Sequence, residues 1–262
     1  MTIQESSTKT GISWVKESVD LFKTAPRKWL LLALAYVGLF MMLPSIPGLQ
    51  FFAFVSILIW PVFLAMAIMM YRNADIKKAQ NFSEIINTLQ PKLTQLIALG
   101  GACLLYAALV SFVLNSDIQG LAELTQNKTN MTESQMIVFL QKVFPFILKF
   151  MLLLIPLMMA TWFSPMLIVF NNYSVVKALK SSVAGSLQYM IALGVSWLLL
   201  TVGIVALMLL VGIVAGIISS LVPVPVLGQI LMSFVVFGCL LLATALMLAF
   251  QYVSYRDVFR AA

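Results

Sequence analysis

Residues Trp29–Arg72 read WLLLALAYVGLFMMLPSIPGLQFFAFVSILIWPVFLAMAIMMYR. An uncharged run, Trp29–Leu43, meets a break at Pro44-Ser45-Ile46-Pro47-Gly48, and a second uncharged run, Leu49–Tyr71, ends abruptly in Arg72-Asn73-Ala74-Asp75. A helix rises about 1.5 Å per residue and a bilayer's hydrocarbon is about 30 Å thick, so about 20 apolar residues cross it. The stretch predicts a transmembrane hairpin. Its first arm is short unless the helix carries on through Pro44–Pro47.

Reading outward, four more apolar runs follow: Leu93–Leu114, Phe144–Phe170, Tyr189–Ser219 and Gln229–Tyr255. The fifth of the six spans is long and should tilt or project beyond the bilayer. The chain is 62% hydrophobic and 10% charged, against about 45–50% and about 25% in soluble domains, so it needs lipid around it. Before each outward span lies an amphipathic stretch: Ser13–Ala25, Ser83–Gln90 and Ser174–Gln188, with Ser13, Ser83 and Ser174 as N-caps. The expected fold is all-α: a polytopic membrane bundle of six transmembrane helices in one domain (1–262). It is built as three repeated helical hairpins, each preceded by an interfacial amphipathic helix, with units at about 11–75, 80–173 and 174–257. The polar tail 1–10 is expected to be disordered. The segment Asn115–Val143 is long enough to fold, and Thr132-Glu133-Ser134-Gln135 fits a capping box that starts a helix running into span four. Pro145, Pro156 and Pro165 are candidate kinks in that span.

Basic residues set the orientation. Lys9, Lys16, Lys23, Arg27, Lys28, Arg72, Lys77, Lys78, Lys92, Lys177, Lys180, Arg256 and Arg260 fall on one side, and Lys128 and Lys142 on the other. This predicts a multi-pass protein of the bacterial inner membrane with both termini cytoplasmic. It also accounts for the formal charge of +7 without a nucleic-acid partner. The first apolar run continues into a full hairpin, so it reads as a mature span rather than a cleaved leader.

Chemistry is sparse. The chain has no histidine and two cysteines, Cys103 and Cys239, each inside an apolar run, so neither a metal site nor a cofactor is expected. The carboxylates are scattered, with no acid–base pairing in view, which argues against an enzyme. Lys149, just inside span four, reads as a snorkelling lysine. The best polar candidates are the Tyr-Arg ends of spans two and six. Arg72 with Asp75, and Arg256 with Asp257, are candidate clamps for a lipid headgroup or a partner protein, joined by Lys177 and Lys180. The competing reading is a plain positive-inside anchor. Gly212 and Gly216 form a GxxxG pattern with Gly203 on the same helix, read either as packing inside the bundle or as a seam between two copies. Met66, Met69 and Met70, or Met158 and Met159, are candidates for lining a soft apolar groove.

Phe163-Ser164-Pro165 and Asn171-Asn172-Tyr173, followed by Ala178-Leu179-Lys180-Ser181-Ser182 ahead of the next span, resemble a poorly characterised group of six-span bacterial inner-membrane proteins. That group is related to the membrane domain of glycerophosphodiester phosphodiesterases. The resemblance implies a non-catalytic membrane domain with a role in envelope maintenance. The expected function is support of envelope integrity by binding membrane lipids or another envelope protein. The alternative is a transporter or flippase of a neutral or lipid-like substrate.

Overall fold

A computed structural model describes residues 3–79, 81–125, 133–221 and 225–259. The described residues are helical throughout: α1 (Ile3–Thr24), α2 (Pro26–Val37), α3 (Phe52–Asp75), α4 (Phe82–Leu89), α5 (Leu93–Thr125), α6 (Glu133–Thr161), α7 (Ser164–Asn171), α8 (Val175–Gln188), α9 (Met190–Leu221) and α10 (Pro225–Phe259). Six helical stretches are long and apolar enough to cross a membrane: Pro26–Ser45, Phe52–Asp75, Phe82–Ala122, Phe139–Asn171, Met190–Ile218 and Gly228–Phe259. This is a multi-pass membrane protein.

The first span is longer than its uncharged run. Past Val37 the helix widens into a π-turn, Gly38–Met42, and closes as a short α-turn, Leu43–Ser45. The widened turn presents Leu39 O to the Ser56 hydroxyl, which donates to it at 3.1 Å, so α2 and α3 meet through the irregularity. Within the far segment α5 runs on to Thr125 and α6 begins at Glu133. Thr132, the expected capping residue, lies outside the described residues. Lys149 is not merely a snorkelling cation, since its ammonium meets both oxygens of Asp117 at 3.0 Å and ties α6 to α5.

Two expected caps are corrected. Helix α1 starts at Ile3, well before Ser13, and takes in most of the polar tail expected to be disordered. Ser13 sits inside it, donating to Glu17 Oε1 at 2.7 Å. Helix α4 is capped by Asn81, whose side chain accepts from the backbone of Ser83 and Glu84. Ser174 does occupy the N-cap position of α8, with extended backbone but no side-chain hydrogen bond to the helix.

The amphipathic helices pack on what precedes them. Helix α4 packs on α3, and α8 on α6 and α7, while α1 lies along α9 and α10 at the other end of the chain. Large side chains are buried mainly at the end of the bundle that carries Arg72, Lys177 and Arg256, called here the basic end. Trp14, Trp29, Tyr71, Phe163, Phe250, Tyr252 and Tyr255 are all within it. Trp29 stacks on Tyr71 at 4.0 Å between centroids, and the Tyr71 hydroxyl donates to Ala245 O at 2.8 Å. Toward the far end the helices diverge and expose apolar side chains such as Phe112, Phe144 and Phe234.

Span four is broken. Helix α6 stops at Thr161, and α7 restarts at Ser164 with Pro165 in its first turn, where a missing N–H is harmless. The freed backbone groups find side chains. Ser182 donates to Met159 O at 2.7 Å and accepts from the Phe163 N–H at 3.0 Å. Ser186 adds a longer bond to Met159 O, and Gln251 Nε2 donates to Trp162 O at 2.6 Å. Irregular backbone at membrane depth persists only where protein satisfies it.

Among the described residues the glycines of α9 make no close helix approach within the chain. A Cβ added at Gly203 or Gly216 would meet nothing within 4 Å, and one at Gly212 only the Met232 methyl at 3.5 Å. Close helix approach occurs elsewhere. At Gly11 a Cβ would lie 2.7 Å from Ala192 O of α9, and at Gly100 it would collide with the backbone of Leu58. Gly100→Leu is therefore expected to cost roughly 1–3 kcal/mol by forcing α3 and α5 apart, whereas Gly216→Leu should stay within about 0.5 kcal/mol of wild type. Thermal unfolding in detergent checks both, and equal melting of the two variants would contradict the packing described.

Candidate functional site

The polar residues of the basic end divide into two groups. In the first, Arg256 on α10 gathers three carboxylates: its Nε donates to Asp257 Oδ1 at 3.0 Å, its Nη1 to Asp75 Oδ2 at 3.0 Å, and its Nη2 to Glu17 Oε2. The Tyr252 hydroxyl donates to Asp75 Oδ2 at 2.8 Å, and the Trp14 indole N–H to Asp257 Oδ2 at 2.8 Å. Each face of the guanidinium fork is thus committed to a different element: α1, α3 or α10 itself. Only a planar, multi-donor cation can do this.

Arg72 stands in the second group. Its expected partner Asp75 is bonded to Arg256 instead, and among the described residues no carboxylate lies within ion-pair distance of Arg72. Its guanidinium carbon lies 4.9 Å from the centroid of Phe170. Lys177 Nζ lies 3.9 Å from the centroid of Tyr173. Lys180 is exposed one turn along α8 and, among the described residues, enters no ion pair. The structure therefore brings Asp75, Arg256 and Asp257 together and leaves Arg72, Lys177 and Lys180 to the α7–α8 corner. Sequence reasoning missed Glu17 and Trp14, because Glu17 reads as a solvent-facing residue of an amphipathic helix. The available signal was Trp14 beside Glu17, a large aromatic with one polar handle on an otherwise polar helix.

Beyond this end, toward the turn of the first hairpin, lies a cleft of three adjoining cavities of about 350, 470 and 300 Å³ that share Met158. Sizes of this order accommodate a small ligand or an acyl chain. The walls are aromatic: Trp60, Trp162, Trp197 and Tyr36. Trp162 and Trp197 approach to 5.8 Å between centroids across the gap between α6 and α9, two helices that form no extended interface along their length. The third cavity opens into that gap beside Ser186 and Met190. Among the expected groove methionines, Met158 and Met159 line the cleft, and Met69 is buried in the core.

The cleft carries few polar groups. The Trp60 indole donates to the Tyr36 hydroxyl at 3.2 Å, and Gln251, itself 5% exposed, is held by the Trp162 carbonyl. Its lining holds no Asp, Glu, Lys or Arg, and its titratable side chains are Tyr36 and Cys103. The arrangement can hold an apolar, uncharged group and turn a charged one away. Among the described residues no cluster of potential metal ligands occurs. No family model, curated protein or solved structure matches the chain. Fold and site together define the class: a six-span helical membrane protein with a charge-free, tryptophan-lined cleft above an arginine–carboxylate cluster.

Removing the fork should expose its role. Arg256→Gln leaves three carboxylates facing one another at a side chain 25% exposed, an expected cost of about 1–3 kcal/mol after allowing for solvent screening. Arg256→Lys should recover little of it, because an ammonium cannot span three elements. Arg72→Gln, which breaks no ion pair, should cost less than about 1 kcal/mol. Fluorescence-monitored unfolding of the three variants distinguishes them.

Proposed function

We propose that this chain is a non-enzymatic, multi-pass protein of the bacterial inner membrane, with both termini cytoplasmic, that supports cell-envelope integrity by holding a lipid chain in the cleft. The carrying observation is the cleft's position and lining. It is apolar, walled by three tryptophans, and continuous with a lateral gap between α6 and α9 through which a chain could enter from the bilayer. The uncharged lining favours binding over acid–base chemistry. In this reading Asp75, Arg256 and Asp257 hold the fold together and do not touch the ligand. Another membrane protein docking at the same gap would use the same surface.

The orientation rests on the sidedness of Lys and Arg. We read the architecture as three hairpin repeats. Support comes from an amphipathic helix before each outward span and from the way each such helix packs on the preceding hairpin, with α1 on the last. The relationship to the phosphodiesterase-associated membrane families rests on the Ala178–Ser182 helix and its flanks. A second reading, translocation of a neutral or lipid-like substrate, is favoured by the broken fourth span beside the cleft, since discontinuous helices line the binding sites of many transporters.

Phospholipids brominated along their acyl chains quench tryptophan on contact. In reconstituted protein they are expected to quench Trp162 and Trp197 well beyond what Trp14, buried against α10, shows, using variants that retain one tryptophan each. Native mass spectrometry of gently extracted protein should show one retained lipid. Unquenched Trp162 and Trp197 with no retained lipid would sink the reading. A fluorescent-lipid scrambling assay in proteoliposomes separates holding from translocation.

A further inference from the structure

We infer that the corner at the basic end where α3 packs on α7 and the chain turns into α8 is a phosphate-binding site, with Arg72 and Lys177 as its cations. The site is distinct from the cleft and does not rest on the reading of the cleft. Along α10, Gln251 of the cleft precedes Tyr255 of this corner by a helical turn, and along span four Trp162 precedes Phe170 by the length of α7.

The corner gathers cationic donors, and among the described residues no carboxylate pairs with Arg72 or Lys177. Arg72 Nε is buried and has no hydrogen-bond partner, a state rare in folded proteins because a desolvated charged donor left unpaired is costly. The one nearby carboxylate on its own helix, Asp75, is taken by Arg256 and Tyr252. Phe170 lies under the guanidinium, 4.9 Å from its carbon, and holds it in place. Tyr173 does the same for Lys177 on the other side of the turn. Between the two rings the chain turns at Asn172, a non-glycine residue at φ 54°. Asn171 accepts from the Tyr255 hydroxyl at 2.6 Å through Oδ1, which fixes the amide and leaves its NH₂ as a further donor. Helix α8 then starts at Ser174 with no side-chain cap, so its first-turn N–H groups also lack side-chain acceptors.

A guanidinium, an ammonium, an amide NH₂ and a helix N-terminus call for a ligand with several anionic oxygens. Phosphate fits that set, and the guanidinium's fork matches it bidentately. The phosphate could belong to the head of an anionic lipid or to a soluble phosphate compound, and the test separates the two.

The experiment is native mass spectrometry of the full-length protein in delipidated detergent micelles, titrated with phosphatidylglycerol, with phosphatidylcholine, and with inorganic phosphate alone or as competitor. Wild type is expected to retain phosphatidylglycerol or inorganic phosphate in preference to phosphatidylcholine. Arg72→Gln and Lys177→Gln should each weaken that retention by about tenfold. Lys28→Gln, which removes a charge from α2 at the same end, should change it by less than about twofold. Displacement of the lipid by inorganic phosphate identifies a site open to soluble phosphates, and no displacement identifies the lipid head; both support the site. Equal losses in Lys28→Gln and Lys177→Gln would reduce it to general charge attraction and overturn the proposal, as would wild type with no preference for any phosphate anion. Lys177 is exposed, so its variant stands as the test if Arg72→Gln fails to insert. Quenching of Trp162 and Trp197 by brominated chains should be unchanged in Lys177→Gln, which keeps the fate of this site separate from that of the cleft.

Discussion

The structure depends on one guanidinium. Arg256 sits where three elements distant in sequence converge, and each of its nitrogens holds a carboxylate from a different place. Two of those carboxylates are further held by Tyr252 and Trp14. A surface ion pair contributes little because water competes for both partners. Here the partners are half-buried, share one rigid fork and are each bonded a second time or joined to a neighbouring group, so losing one member disturbs the rest. The cluster fixes α1 and α3 against α10, and with them the closed end on which the cleft rests.

That closed end explains why the cleft can be both open and stable. Large aromatic side chains fill the basic end, and the far halves of the helices carry most of the exposed apolar surface. In lipid such surface costs nothing, so the far halves need not pack tightly. The cleft forms where the two regimes meet. Its floor is made by the break in span four, whose carbonyls are satisfied by Ser182, Ser186 and Gln251. The irregular backbone and the binding space are thus one feature.

Much of the fold was legible from composition and charge. Six spans follow from apolar run length, and the helices before spans one, three and five from period, although Ser13 and Ser83 are not their caps. What escaped was tertiary. Asp75 was read with Arg72 because an i,i+3 spacing makes them neighbours on one helix, but Asp75 is bonded to Arg256 and Tyr252 of α10 instead. The glycines of α9 form a motif, yet the close contacts fall at Gly11 and Gly100, which belong to none; a small residue permits an approach without causing one. Pro145, Pro156 and Pro165 were equal candidates for a kink in span four, and the break falls only before Pro165; the serines and the glutamine that make it tolerable come from helices whose position no local pattern encodes. The cleft itself was foreshadowed only by its methionines, since its tryptophans lie on three separate spans.

The placement of α1 has a consequence for biogenesis. Trp14 and Asp257 are 243 residues apart and share a hydrogen bond. Helix α1 therefore has part of its docking surface in a helix made long after it. Until span six has been inserted, Glu17 lacks its cation and α9 is the main helix present to cover the buried face of α1. The helix must wait at the membrane surface, where its amphipathic pattern gives it a resting place. Closure of the bundle is then a late event, and a chain cut short within α10 would leave its own first helix unplaced.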